Sequence, residues 1–317
     1  MSFNFDAAVS APFRMQPGLR RLAPGTPQLT PTAAPQRGHA RHLREKLAVF
    51  GAFADQSLLA RPGFDARSAI TALAAHAAAE QPEAAAFDGQ RLQAHWLGWS
   101  VDFEGRVQDH GGGWPEIGPL LQQLAPEWRL PALLSLAFAE DFAVVDGHDG
   151  HIPWLAVALP SGWAPEEKVG RHFAEVHAPV ADNKLVVNAA SHLTKLVTGT
   201  EARERFVWTI SAHPRLHAHP RRVDPLRWPA ELEPDALAAA AWWRTERQSF
   251  IPVPGQRQAV FTIGVQLQRL ADAITTPQEA ARVHEALASM SDAVLAYRGL
   301  ADARGRLLAW LGRRAAA

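Results

Sequence analysis

A histidine, His177, stands near the end of the segment LPSGWAPEEKVGRHFAEVHAPV, Leu159 to Val180, and its setting is the strongest chemical signal in the chain. Pro165 suits a first helical position, because its missing N–H would have no partner there. Glu166 and Glu167 place negative charge at the positive end of the helix dipole. Val169, His172, Phe173 and Val176 share one face at helical spacing. Pro179 cannot continue the helix and pushes Ala178 out of the helical region. The spacing therefore predicts a helix from Pro165 with His177 fixed at its far end, where one imidazole can be aimed at a ligand. The same spacing also serves an ordinary helix whose histidine caps its own last carbonyls.

A second constellation is Glu246-Arg247-Gln248, flanked by Trp242, Trp243 and Phe250. On a strand, Glu246 and Gln248 share a face and Arg247 points to the other. The pattern also serves a solvent-facing polar strand. His213, His217 and His219 have proline and arginine among them and no adjacent carboxylate or thiolate, so a mobile polar loop is expected rather than a metal site. His148 and His151 flank a turn with Asp146 and Asp149 and read as exposed hairpin residues. No Walker loop, Rossmann glycine fingerprint, nucleophile elbow or His-Glu-x-x-His helix is present.

Several ordered motifs resemble the haem-dependent oxidative N-demethylase alpha-subunit family. They are Pro160-Ser161-Gly162-Trp163, Glu167-Lys168-Val169-Gly170 and Val176-His177-Ala178-Pro179-Val180. Phe13-Arg14-Met15 with Gly18-Leu19, Glu140-Asp141-Phe142, and Arg244-Thr245-Glu246-Arg247-Gln248 followed by Phe261-Thr262-Ile263 extend the likeness over most of the chain. The resemblance implies a PAS-like domain holding haem b, with His177 as the axial iron ligand. It implies haem contacts for Trp163, Lys168 and Arg247, the arginine on a propionate, and a place for a protonated amine at Glu246. His172, one turn earlier, and His192, on the last helix before the third strand of the core, compete for the iron. Two departures stand out. Gly264 replaces an arginine of the family pattern, and Ala181-Asp182 replaces Pro-Gly after Val180.

The implied activity is a monooxygenase subunit that takes a small methylated amine and dioxygen and releases formaldehyde. The alternative is a PAS-like haem or small-ligand sensor without turnover. The chain contains no cysteine, which excludes a thiolate-ligated haem, an Fe–S cluster and a zinc–thiolate site. Any haem ligand is then expected among its 14 histidines. With no flavin or nicotinamide fingerprint either, an enzyme of this kind needs electrons from a separate reductase or ferredoxin-type partner. Lysine plus arginine equals aspartate plus glutamate, 32 each, which argues against nucleic-acid binding. The amino terminus lacks the pattern of a signal peptide, and no apolar run reaches the roughly 18 residues of a membrane span. A cytoplasmic protein without a membrane partner is expected.

The elements that must position these residues divide the chain into four parts. Residues 1–36 read as an extended arm, and 37–139 as an alanine-rich helical region. Residues 140–266 form the core and 267–317 close the chain as helices. The core reads as strands Phe142–Val145, Ile152–Leu159, Phe206–Ser211, Trp242–Phe250 and Ala259–Val265, with helices after the second. The expected fold is α+β: a five-stranded antiparallel PAS-like sheet, helices on one face, and helical additions at both ends.

Overall fold

The computed structural model describes residues 3–33, 40–177, 181, 187–222 and 228–317. Its strands in chain order are β1 (Arg20–Arg21), β2 (Leu58–Ala60), β3 (Ala85–Phe87), β4 (Arg91–Ala94), β5 (Trp99–Asp102), β6 (Val107–Asp109), β7 (Asp141–Asp146), β8 (Trp154–Ala156), β9 (Arg203–Ser211), β10 (Trp242–Pro252) and β11 (Gln258–Arg269). Seven of them make one antiparallel sheet in the order β1–β9–β10–β11–β7–β8–β2. The five expected strands are its contiguous centre. The sheet is not five-stranded, because two short edge strands extend it. Arg20 pairs with Glu204 at one side, and Leu58 with Ala156 at the other. Strands of two and three residues are too short to show an alternating pattern.

The second expected strand shrinks to three residues. The Ile152 N–H donates to the Arg171 carbonyl and the Val157 N–H to Ser57, so both ends leave the ladder. The β10–β11 hairpin turns at Gly255, whose φ of +71° favours glycine. Its register sets Glu246 opposite Val265 and Arg247 opposite Gly264. On the other side Glu246 faces Val207, and Gln248 faces Arg205. Since paired residues share a face, the sheet has a front bearing Glu246 and a back bearing Arg247.

The amino-terminal region holds α1 (Phe5–Ala8), α2 (Ala40–Ser57), α3 (Arg67–Glu80), α4 (Ile117–Gln123) and α5 (Pro126–Ala137). Their apolar faces bury Leu43, Val49 and Phe50, then Ile70, Leu73, Ala74 and Ala77, then Leu120 and Leu121, with Leu47 half-buried. The region is not wholly helical. Strands β3–β6 form a second antiparallel sheet inside it. They are three or four residues long, and Gly98 and Gly105 adopt positive φ between them. The arm before Arg37 is also more than extended chain. Asn4 caps α1, and Glu80 accepts the N–H groups of Gln28 and Leu29 at 2.7 Å each.

The later helices are α6 (Phe173–His177), α7 (Ala190–Val197), α8 (Pro234–Ala240), α9 (Leu270–Ala273), α10 (Pro277–Ala288), α11 (Asp292–Tyr297) and α12 (Arg304–Ala315). Thr276 and Glu279 form a capping box at the start of α10. Both faces of the sheet are covered, rather than one. On the back, Trp208, Ile210 and Trp243 pack with α8–α12 and with Phe3, Phe5 and Phe13 of the arm. Trp208 and Trp243 stack at 4.8 Å between ring centres. On the front, α6, α7 and the segments around Trp163 and His217 lie over the centre of the sheet.

Candidate functional site

The segment after Leu159 does not form one continuous helix. A single 3₁₀ turn spans Pro165–Glu167. Gly170 then takes a φ of +72°, and its N–H donates to the Ile152 carbonyl (2.8 Å). His172 bridges to His151, and α6 starts only at Phe173. The chain thus pairs with the end of the β7–β8 hairpin where helical spacing favoured continuation, and a left-handed glycine makes the break possible. The apolar stripe still reaches the sheet. Trp163, Val169 and Val176 pack with Phe261 against Ala143, Leu155 and Val157.

His177 is the last residue of α6. Its side chain lies outside the described residues, as do Ala178, Pro179, Val180 and Asp182. Lys168 donates to the Val176 carbonyl (3.1 Å), beside His177. Burial pushes its ammonium below the ordinary lysine range, partly offset by Glu167. Of the two competing imidazoles, His192 is exposed on α7. His172 accepts the Ala174 N–H on Nδ1 (3.1 Å) and meets His151 edge-on at 5.4 Å. It closes the hairpin end.

The front of the sheet carries Arg244 and Glu246. Glu246 is 8% exposed, and Gln248 donates its amide to Oε2 (2.5 Å). Arg244 is buried and donates to Ser161 Oγ (2.9 Å) and to the carbonyls of Arg215 and Leu216 (2.8 Å each). Burial lowers its guanidinium to about 10, opposed by Glu246 and Glu45. Arg247 lies on the back. It pairs with Glu204 at 2.9 Å and donates to the Pro27 carbonyl. Strand parity and these bonds keep it on the side opposite Glu246. Gly264 is opposite Arg247, so an arginine there would also stand on the back.

Two front-side residues escaped the sequence reading, Arg205 and Thr209. Among the described residues, Arg205 Nε and Thr209 Oγ1 are buried without a hydrogen-bond partner. Along β9, Arg203, Arg205, Val207 and Thr209 stay half-buried while Glu204, Trp208 and Ile210 are buried on the back. Alternation through Arg203 and Arg205 was the available signal.

The segment 213–219 is not a mobile loop. Ala218 bridges Ser161 in parallel. His219, 2% exposed, lies 3.2 Å from both oxygens of Glu166. His217 Nδ1 is 2.6 Å from the Ala158 carbonyl, so that nitrogen carries the proton. Its Nε2 is buried with no hydrogen-bond partner among the described residues, and burial lowers the ring's affinity for a proton. A ligating histidine shows the same arrangement, one N–H held by a carbonyl and the other nitrogen free. Among the described residues, no three histidine or acidic side chains converge as a metal site, and no helix is long and apolar enough to cross a membrane.

A family model described as haem-dependent oxidative N-demethylase, alpha subunit-like, matches residues 121–308. The matched segment contains the five central strands, both faces of the Glu246 strand, and helices from α5 to α11.

Proposed function

The chain belongs to the haem-dependent oxidative N-demethylase, alpha subunit-like family, and from that premise we propose that it holds haem b against the front of the large sheet and serves as the haem-bearing subunit of an amine N-demethylase. The front suits such a group by its donor set. Trp163, Phe250 and Phe261 give an aromatic wall, and Arg205 and Thr209 give buried donors without acceptors. A flat apolar ring with carboxylates at its rim matches both. These orphaned donors beside Glu246 are the observation that carries the proposal. The five central strands, with helices over the front, support a PAS-like core.

His177 would hold the iron, a reading supported by its motif and its place at the end of α6. His217 is the other imidazole whose surroundings suit iron. Lys168 holds the end of α6 in place through Val176, and Trp163 shields the site from water. When bound, the haem supplies oxidation of an N-methyl carbon with dioxygen, leaving the demethylated amine and formaldehyde. Glu246, steadied by Gln248, holds the ammonium of a small methylated amine. Arg244 ties the 160–161 and 215–216 segments together above the sheet and so fixes the wall of the site. Electrons come from a separate reductase partner, in keeping with a family described as an alpha subunit.

Absorbance of the protein expressed with sufficient iron tests the first step, and a Soret band is expected. His177→Ala should shift or abolish it, while His217→Ala should leave it unchanged. The opposite pattern would move the ligand to His217, and no Soret band in the parent protein would end the haem reading. Formaldehyde release from dimethylamine, with a supplied electron donor, tests turnover.

A further inference from the structure

Four arginines lie on β9 and β10, and three have acceptors. Arg203 pairs with Glu201 at 2.7 Å, Arg247 with Glu204, and Arg244 with the carbonyls of Arg215 and Leu216 and with Ser161. Arg205 is different. Among the described residues no carboxylate comes within ion-pair distance of it, and its Nε is buried without a partner. Glu246 acts on it only from a distance; a buried N–H without an acceptor is costly, and it persists where a ligand brings one.

The register says what stands beside it. Glu246 faces Val207 and Arg205 faces Gln248, so Arg205 and Glu246 are diagonal neighbours on the front of two paired strands. Diagonal neighbours have stems about 7–8 Å apart, within reach of long side chains. They nevertheless form no ion pair, because Gln248, directly across from Arg205, donates its amide to Glu246. The amide keeps a carboxylate and a guanidinium apart on one half-buried patch.

We propose that Arg205 binds a carboxylate next to the ammonium held by Glu246, so that the site takes a zwitterion: an N-methylated amino acid rather than a simple methylated amine. The inference rests on the reading of the sheet front as the ligand site. The same carboxylate could come from a haem propionate or from the substrate, and the test separates the two sources.

The test is calorimetric titration of the full-length haem-loaded protein with N,N-dimethylglycine and with dimethylamine. The expected result is at least tenfold tighter binding of dimethylglycine. Arg205→Gln should erase that preference by weakening dimethylglycine binding at least tenfold, and Glu246→Gln should weaken both. The comparison of ligands on the parent protein needs no variant, so a poorly folded Arg205→Gln does not decide the matter. Equal affinity of the parent for the two compounds overturns the proposal. So does an Arg205→Gln protein with reduced haem content and an unchanged preference, which would assign the carboxylate to the porphyrin. A protein without a Soret band that still prefers dimethylglycine through Arg205 supports the zwitterion while the haem reading fails.

Discussion

Lys46 is wholly buried. Its ammonium donates to the carbonyls of Ser135 (3.0 Å), Phe138 (3.0 Å) and Glu140 (2.6 Å) and pairs with Asp141 at 3.1 Å. Asp141 also accepts the Leu159 N–H at 2.6 Å. One charge pair therefore joins α2, the end of α5, the start of β7 and the turn that opens the site. Removing one member of a buried pair leaves the other uncompensated, at a cost of about 3–5 kcal/mol. Lys46→Met should lose that much in urea unfolding, and a loss below ~1 kcal/mol would show that the pair is dispensable. At this scale the sequence was readable where a motif named the residue. The Glu246 and Arg247 parity followed from strand geometry alone. Arg205 is hidden in the sequence because the apolar run starts at Phe206, whereas β9 begins at Arg203.

Among the elements, the long hairpin strands announced themselves, since β10 and β11 span eleven and twelve residues. The segment 165–177 misled because its apolar spacing fits a helix, while its hydrogen bonds go to the β7–β8 hairpin. Gly150 shows what that costs. It sits at φ +74°, and a Cβ there would come within 2.5 Å of His172 Nε2. Gly150→Ala combines a disfavoured backbone with overpacking, and overpacking alone costs about 1–3 kcal/mol. The variant should melt earlier and, by displacing His172, loosen α6. An unchanged melting curve would show that the hairpin end yields freely. The β3–β6 sheet was illegible for another reason: its three- and four-residue strands lie among alanine-rich helical patterns, and only pairing with one another reveals them.

The molecule as a whole depends on its first 120 residues, although the family match begins at residue 121. β2 completes the large sheet beside β8, and Lys46 sits under β7. A chain shortened to 121–308 should therefore fail to unfold cooperatively. Acid should also undo the fold in a defined order. Burial lowers His213 from 6.5 to about 4, reinforced by Arg244 and Arg215. The folded form then resists a proton that the unfolded chain accepts, so stability falls as pH drops from 6.5 toward 4. Burial alone would raise Glu80, but His76 and the N–H groups of Gln28 and Leu29 outweigh it and hold it below 4.5. Bonds to arginine do the same for Asp102, below 3.8. Their contribution is present above those ordinary values and is lost as pH falls through the lowered ones. Glu140, raised by burial, acts in the opposite sense. Thermal midpoints should decline below pH 6.5 and drop further below 4.5, with a smaller second drop in Glu80→Gln. A midpoint flat from pH 7 to 4 would contradict both assignments. Finally, Trp208 and Trp243 stack at 4.8 Å and 21° on the back of the strands whose front carries Arg205 and Glu246. Two indoles so close couple as an exciton and give a paired near-ultraviolet dichroism band. Their emission overlaps porphyrin absorption, so a pigment arriving one sheet-thickness away would darken their fluorescence and report its own arrival.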